Sequence, residues 1–116
     1  MTVHDATQMG KLARERFSVA FMSDTKWRKL FGAVKQFGRG HMIVKFIDVD
    51  EPQQMRFPPS LECPKEFMDT IEFGPVELRA IEWLELPIDL APIVGPIGKF
   101  PLEPTEVGTR VIGYQP

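Results

Sequence analysis

The chain has 116 residues, 43% of them apolar and 26% charged, with a formal net charge of -2. This length suits one domain with its own core, over 1–116, and the composition excludes a disordered or fibrous protein. Cys63 is the only cysteine, which excludes an internal disulfide and a multi-cysteine zinc site. The sequence shows neither a long apolar run nor a signal-peptide start, so it predicts a cytoplasmic protein that does not enter a membrane.

The small net charge hides an asymmetry between the two halves of the chain. Residues 1–45 carry nine cations and three acids, a net charge of +6, whereas residues 46–116 carry five cations and thirteen acids, a net charge of -8. Halves of opposite sign are expected to attract each other within one fold and to leave a basic and an acidic surface. Such a polar molecule suits a charged partner.

A first helix is predicted near the N-terminus. All eleven prolines come after residue 51, so the earlier part of the chain can form uninterrupted helix. Apolar residues recur at spacings of three and four over 6–22, which is typical of an amphipathic helix.

A second helix is predicted over 25–37, where apolar residues again recur at helical spacing. Before it, Ser23, Asp24 and Thr25 supply side-chain acceptors for the free amides of a helix start, and we expect Asp24 or Thr25 to be the cap. Gly38 follows the last apolar residue and is expected to end this helix.

Strands are predicted in the rest of the chain. The segment 41–50, HMIVKFIDVD, is rich in β-branched residues and predicts a strand with one buried face. A short strand at 54–57 is expected to pair back with it, and 63–71 predicts a single helical turn because Pro64 suits a first helical position. The longest strand is expected over 74–87, GPVELRAIEWLELP, and the last over 109–114, TRVIGY.

The segment 88–104 has a proline or glycine every few residues, so it cannot form a long ladder or helix and is expected to wrap an edge of the sheet. The predicted fold class is therefore α+β, with two N-terminal helices packed on a small, mainly antiparallel sheet of three to four strands. The predicted core residues are Leu30, Phe31, Val34, Val44, Phe46, Leu78, Ala80, Leu84 and Val111.

Three short motifs carry a resemblance: TKW at a helix start, the strand VELRAIEWLELP and the terminal RVIGY. Together they resemble a bacterial family of small uncharacterised proteins, known as a domain of unknown function, over about residues 22–115. The matching positions are Asp24, Thr25, Lys26, Trp27, Glu82, Trp83, Pro87, Arg110, Gly113 and Tyr114. Relatives carry asparagine where this chain has Asp24. The resemblance implies a fold type rather than an activity, and it implies that 1–21 is a helical extension of a core domain over 22–116.

No set of residues forms a specific catalytic or metal-binding motif. A thiol nucleophile at Cys63 with His41 as its base lacks a recognisable surrounding motif. His4 and His41 are too far apart in sequence for the metal-ligand spacings HxH, HxxxH or HExxH. Glu82 and Glu85 should point to opposite faces of a strand, which argues against a shared proton. The sequence predicts no catalytic residue, no metal and no cofactor.

The sequence favours a non-catalytic binding protein, of an immunity type or another regulatory type. Glu77, Glu82 and Glu85 are expected to form an acidic sheet surface that binds a basic protein, such as a toxin. A homodimer is compatible with the same sequence.

The alternative is a small enzyme or a ligand-binding domain. Its site would lie where Trp27, Arg28, Arg110 and Tyr114 converge. Nucleic acid is a third class of partner, because the second helix mixes cations with an aromatic residue. It is disfavoured, because Trp27 lies on the core stripe and the whole chain is acidic.

Overall fold

A computed structural model describes residues 6–116, with side chains from Met9 onward. Residues 1–5 of the predicted extension, and His4 with them, lie outside the described residues. The described helices are α1 (Ala6–Arg16), α2 (Asp24–Lys35) and α3 (Ala91–Val94), with 3-10 turns at Leu78–Ala80 and Gly95–Ile97. The described strands are β1 (Val19–Ala20), β2 (Gly40–Phe46), β3 (Gln53–Phe57), β4 (Phe67–Thr70), β5 (Gly74–Glu77), β6 (Ile81–Leu86), β7 (Leu102–Pro104), β8 (Thr109–Ile112) and β9 (Tyr114–Gln115).

The first helix is shorter than its pattern predicts. The expectation of a helix over 6–22 is wrong at its end, because α1 stops at Arg16 and the chain continues into β1. β1 pairs antiparallel with β9, and the amide of Phe21 donates to the carbonyl of Gly113 at 2.8 Å. Pairing with a distant strand therefore prevails over the local helical pattern. α1 packs on the core through Met9, which is buried.

The second helix lies where the sequence predicts it. Its cap is Ser23, whose Oγ accepts a hydrogen bond from the amide of Lys26 at 3.2 Å, and not one of the next two residues as expected. Asp24 is instead the first helical residue. The helix ends at Lys35, before Gly38 with a φ of 95°. Its buried stripe consists of Trp27, Leu30, Phe31 and Val34.

The main sheet is antiparallel and has five strands in the order β3-β2-β6-β8-β7. The predicted combination of N-terminal helices and an antiparallel sheet is confirmed in outline, but the expected number of three to four strands is wrong. The additional edge strand, β7, comes from the proline-rich segment, and it is only three residues long. Two further pairs, β1 with β9 and β4 with β5, lie outside the main sheet.

Two predicted elements are wrong in the middle of the chain. The segment expected to form a helical turn over 63–71 forms one hydrogen-bonded turn, in which the amide of Phe67 donates to the carbonyl of Pro64 at 2.9 Å. The rest of the expectation is wrong, because the chain continues into β4, which pairs with β5 as a hairpin. The single strand expected over 74–87 is interrupted by the 3-10 turn at Leu78–Ala80, so that its two halves belong to different sheets. The turn buries Leu78, Ala80 and Ile81 fully. Strict alternation along one strand would have turned Ile81 away from the other two.

All nine predicted core residues are buried. In the main sheet, Val44, Leu84 and Val111 are cross-strand partners on the buried face. The residues that alternate with them lie on the other face, which we call the open face because each of its central side chains keeps part of its exposure. These central residues are Ile43, Lys45, Trp83, Glu85, Arg110 and Ile112.

No helix within residues 6–116 combines the length and the apolar character that crossing a bilayer requires. The cytoplasmic location stays a prediction.

Candidate functional site

Glu77 does not share a surface with the other two acidic residues that the sequence singles out. It lies on β5, outside the main sheet, and is 7% exposed. Its Oε1 accepts from Nε of Arg79 at 3.2 Å and lies 3.1 Å from Nη2 of the same residue. Its Oε2 is buried and has no hydrogen-bond partner among the described residues. Glu77 is therefore a buried carboxylate that pairs with an exposed arginine.

Glu82 lies at an irregularity of the sheet. The pairing of β2 with β6 shifts register between Lys45 and Phe46, which places the carboxylate of Glu82 beside the Lys45 ammonium group. Nζ of Lys45 donates to Oε1 of Glu82 at 3.2 Å, and both side chains are less than one third exposed. The charge of Glu82 is thus already matched within the molecule.

Glu85 lies on the open face, opposite Arg110 of β8. Its side chain is 16% exposed, and its Oε2 lies 3.8 Å from Nη2 of Arg110. This distance allows an ion pair but is too long for a hydrogen bond. Of the two carboxylates on the main sheet, Glu85 has the longer ion-pair distance, 3.8 Å against 3.2 Å for Glu82.

Trp83 and Arg110 form a stacked pair on the open face. The guanidinium carbon of Arg110 lies 4.0 Å from the centroid of the Trp83 ring, a distance typical of a cation–π contact. Tryptophan and arginine are the residue types most enriched among the side chains that dominate protein interfaces. The sequence analysis did not single out Trp83 as a site residue. Its signal was an aromatic residue on the charged face of a predicted strand, but only the pairing of β6 with β8 brings Arg110 to it.

Trp27 and Arg28, two residues of the alternative ligand site, have structural contacts. Trp27 is 1% exposed, and its ring stacks on Phe31 at a centroid distance of 6.1 Å. Arg28 fastens the loop before β4: its Nη2 donates to the carbonyl of Leu61 at 2.6 Å and its Nη1 to that of Phe67 at 3.1 Å. The indole of Trp27 is therefore part of the core, and the guanidinium of Arg28 anchors a loop.

Tyr114 also contributes to packing. Its hydroxyl donates to the carbonyl of Arg79 at 2.8 Å, and its ring stacks on Phe17 at 5.1 Å. Burial raises the pKa of Tyr114; the charge of Arg79 opposes this shift, and the negative charges of Asp24 and Glu77 act in the same direction as burial. Since Trp27 lies beneath the sheet and Arg110 on its open face, the structure does not bring the four predicted ligand residues together.

Asp24 begins α2 within a cluster of charged side chains. Burial raises the pKa of this carboxyl, and the nearby charge of Glu66 acts in the same direction. The cations Arg79, Lys65 and Arg28 oppose the shift in part. The helix N-terminus also favours a negative charge, so the cations and the helix end stabilise the carboxylate while burial and Glu66 destabilise it.

Metal binding and thiol chemistry find no support within residues 9–116. No group of three or more His, Cys, Asp or Glu side chains there could hold a metal ion. Cys63 donates its thiol hydrogen to the carbonyl of Phe67 at an Sγ–O distance of 3.2 Å. His41 lies exposed at the end of β2, where it lines a pocket of about 80 Å³ at the edge of the open face.

Comparison of the chain with protein-family models, with curated proteins and with solved structures finds no match. The resemblance to a bacterial family of small proteins therefore stays a prediction. The function of the chain has to be argued from the open face, its charges and its contacts.

Proposed function

We propose that the protein is a non-catalytic binding protein whose open face receives a basic protein partner. The observation that supports this most is the Trp83–Arg110 stack at the centre of a half-exposed, five-stranded sheet face. Ile43 and Ile112 flank the stack, and charged side chains surround it. Tryptophan and arginine at the centre of a protein surface are typical of the side chains that dominate binding energy at interfaces.

The distribution of charge favours a basic partner. Lys45 and Arg110 offset the nearby carboxylates on the open face, but the chain from residue 46 onward, which supplies most of the sheet, has a net charge of -8. Exposed acids lie at the rim, with Glu51 in the turn after β2 and Glu103 on β7 opposite Arg110. Such a field accelerates encounter with a basic surface. An immunity-type protein that neutralises a basic toxin is a binding protein of this kind.

The pocket at the edge of the open face is smaller than a site for a drug-sized ligand. Pockets for drug-sized ligands measure about 300–1,000 Å³. The pocket beside His41 has about 80 Å³, which suffices for part of one side chain. The geometry thus supports contact over a broad face.

The test uses a short lysine- and arginine-rich peptide and the nitrogen-15-labelled protein. The chain has two tryptophans, and only Trp83 has an accessible ring, so we expect the indole signal of Trp83 to shift on titration while that of Trp27 stays in place. The affinity should fall as salt is raised. Shifts that spread evenly over all exposed acids, or that avoid the open face, would refute the proposal.

Two variants sharpen this test. Trp83→Ala should weaken peptide binding at least about tenfold, the effect typical of a central interface residue. Ile71→Ala is the matched control, because Ile71 is also a large apolar side chain and is 76% exposed, but it lies in the β4–β5 turn and not on the open face. Equal effects of the two substitutions would contradict a role for the open face.

A further inference from the structure

A pocket of about 80 Å³ lies at one edge of the open face. Its apolar lining includes Ile43, Pro87 and Val107, and its polar lining includes Gln54 and Glu85. Val107 is 62% exposed and so has apolar surface left to cover. Apolar walls beside a single carboxylate match the chemistry of a lysine or arginine side chain, whose stem is apolar and whose head is cationic.

The contacts of Glu85 explain why this carboxylate can accept a further cation. Its side chain is only 16% exposed, and Arg110 approaches no closer than 3.8 Å. The guanidinium of Arg110 is at the same time stacked on Trp83, with its carbon 4.0 Å from the ring centroid. Glu82, in contrast, receives a hydrogen bond from Lys45 at 3.2 Å. A largely desolvated carboxylate without a short hydrogen bond gains more from a new donor than one that is already paired.

We propose that this pocket holds one lysine or arginine side chain of the partner, with the cationic head at Glu85 and the stem against Ile43, Pro87 and Val107. The inference rests on the proposed function, which it makes more specific: the basic partner is recognised by a single inserted side chain as well as by the charge of the whole face. The amide oxygen of Gln54 is a second acceptor on the pocket lining.

The experiment titrates the labelled protein with N-acetyl-lysine N-methylamide and N-acetyl-arginine N-methylamide. The neutral comparison compounds are the norleucine and citrulline analogues, which keep the stem and lose the charge. We expect millimolar binding of at least one cationic probe, with shifts at the amides of Ile43, Glu85 and Val107. The Glu85→Gln substitution should weaken binding of the cationic probe at least about tenfold. Removing the charge from the probe should have an effect of the same size. Asp69→Asn removes an exposed acid from β4, outside the main sheet, and should have no effect.

Equal binding of cationic and neutral probes, or unchanged affinity in Glu85→Gln, would overturn the assignment of the pocket. If Glu85→Gln fails to give a native spectrum, Val107→Ala provides the second test, because the exposed side chain of Val107 tolerates truncation. This substitution should lower the affinity for the cationic probe about two- to threefold.

Failure of the pocket and failure of the proposed function give different results. If Trp83→Ala loses peptide binding and Glu85→Gln does not, the open face remains the binding surface and the proposal for the pocket is refuted. If the single-residue probes bind specifically but Trp83→Ala keeps wild-type affinity for the peptide, the pocket remains a cation site. The proposed function is refuted in that case.

Discussion

Replacement of Gly113 by alanine is expected to destabilise the protein by about 3 kcal/mol, although it adds one methyl group. Gly113 lies between β8 and β9, where its amide donates to the carbonyl of Glu82 at 2.7 Å. A Cβ at this position would collide with the backbone oxygen of Ile81 and would lie 2.9 Å from that of Glu82 and 3.2 Å from Cζ2 of Trp27. Backbone oxygens of β6 and a fully packed indole cannot move aside as an exposed side chain would.

The magnitude follows from two effects. Inserting a methyl group into a packed interior costs about 1–3 kcal/mol. Weakening the short hydrogen bond from Gly113 adds about 1 kcal/mol. For a domain of this size, a total of about 3 kcal/mol corresponds to a decrease in Tm of roughly 12 °C. Urea denaturation followed by circular dichroism measures the free energy of unfolding, and a thermal scan checks the decrease in Tm.

The same substitution at Gly32 is the control, with an effect of the opposite sign. Gly32 lies inside α2, and beyond its chain neighbours and the helix's own backbone no described atom lies within 4 Å of the position its Cβ would take. Alanine is favoured over glycine in a helix interior, so Gly32→Ala should stabilise the protein by about 0.5–1 kcal/mol. Wild-type stability of Gly113→Ala, or equal loss in both variants, would refute the assigned packing at Gly113.

Three further predictions concern local contacts. Ser23→Ala should remove the N-cap of α2 and lower the free energy of unfolding by about 1 kcal/mol in urea denaturation. Arg28→Met should cost on the order of 2 kcal/mol and should speed alkylation of Cys63, because the guanidinium no longer anchors the loop. Because burial raises the pKa of Tyr114, the native phenol should ionise above the ordinary value of 10.0, which its phenolate absorbance reports directly since it is the only tyrosine. The unfolded chain loses this proton first, so stability should fall as the pH rises above 10.0, and Tyr114→Phe should reduce that fall.

Each of these predictions has a control. Thr25→Ala removes an exposed hydroxyl from the same helical turn as the cap and should change stability by less than about 0.5 kcal/mol. Lys29→Met removes an exposed cation next to Arg28 and should leave the alkylation of Cys63 unchanged. For Tyr114, the urea-unfolded protein should titrate near 10. An identical titration in the native protein would contradict the effect of burial.

The spacing of apolar residues predicted the structure best where contacts are local. The stripe of α2 repeats at helical spacing and ends before Gly38, so its position followed from the sequence alone. The core positions Val44 and Leu84 followed from alternation along their strands. Such patterns depend on neighbours a few residues apart, and the structure confirms them.

The features that the sequence analysis missed depend on distant parts of the chain. β1 interrupts a helical pattern because β9 pairs with it. The 3-10 turn at Leu78–Ala80 redirects the chain between two sheets. The prediction assumed that side chains alternate without a break across this turn, and it therefore wrongly placed Glu77 on the same surface as Glu85. The Trp83–Arg110 stack likewise requires β8 to lie beside β6. The spacing of residues within one segment does not show which distant segments lie next to each other.

The order of the strands has a consequence for synthesis on the ribosome. β6 lies in the interior of the main sheet, yet its second neighbour is β8, close to the C-terminal end of the described chain. While β8 remains in the exit tunnel, β6 presents an unpaired edge and an uncovered apolar face, and α1 and α2 have emerged without a finished sheet to pack on. Unpaired edges and exposed apolar surface promote aggregation. We therefore expect the main sheet to form only after β8 has left the exit tunnel, and the nascent chain to depend on chaperones until then.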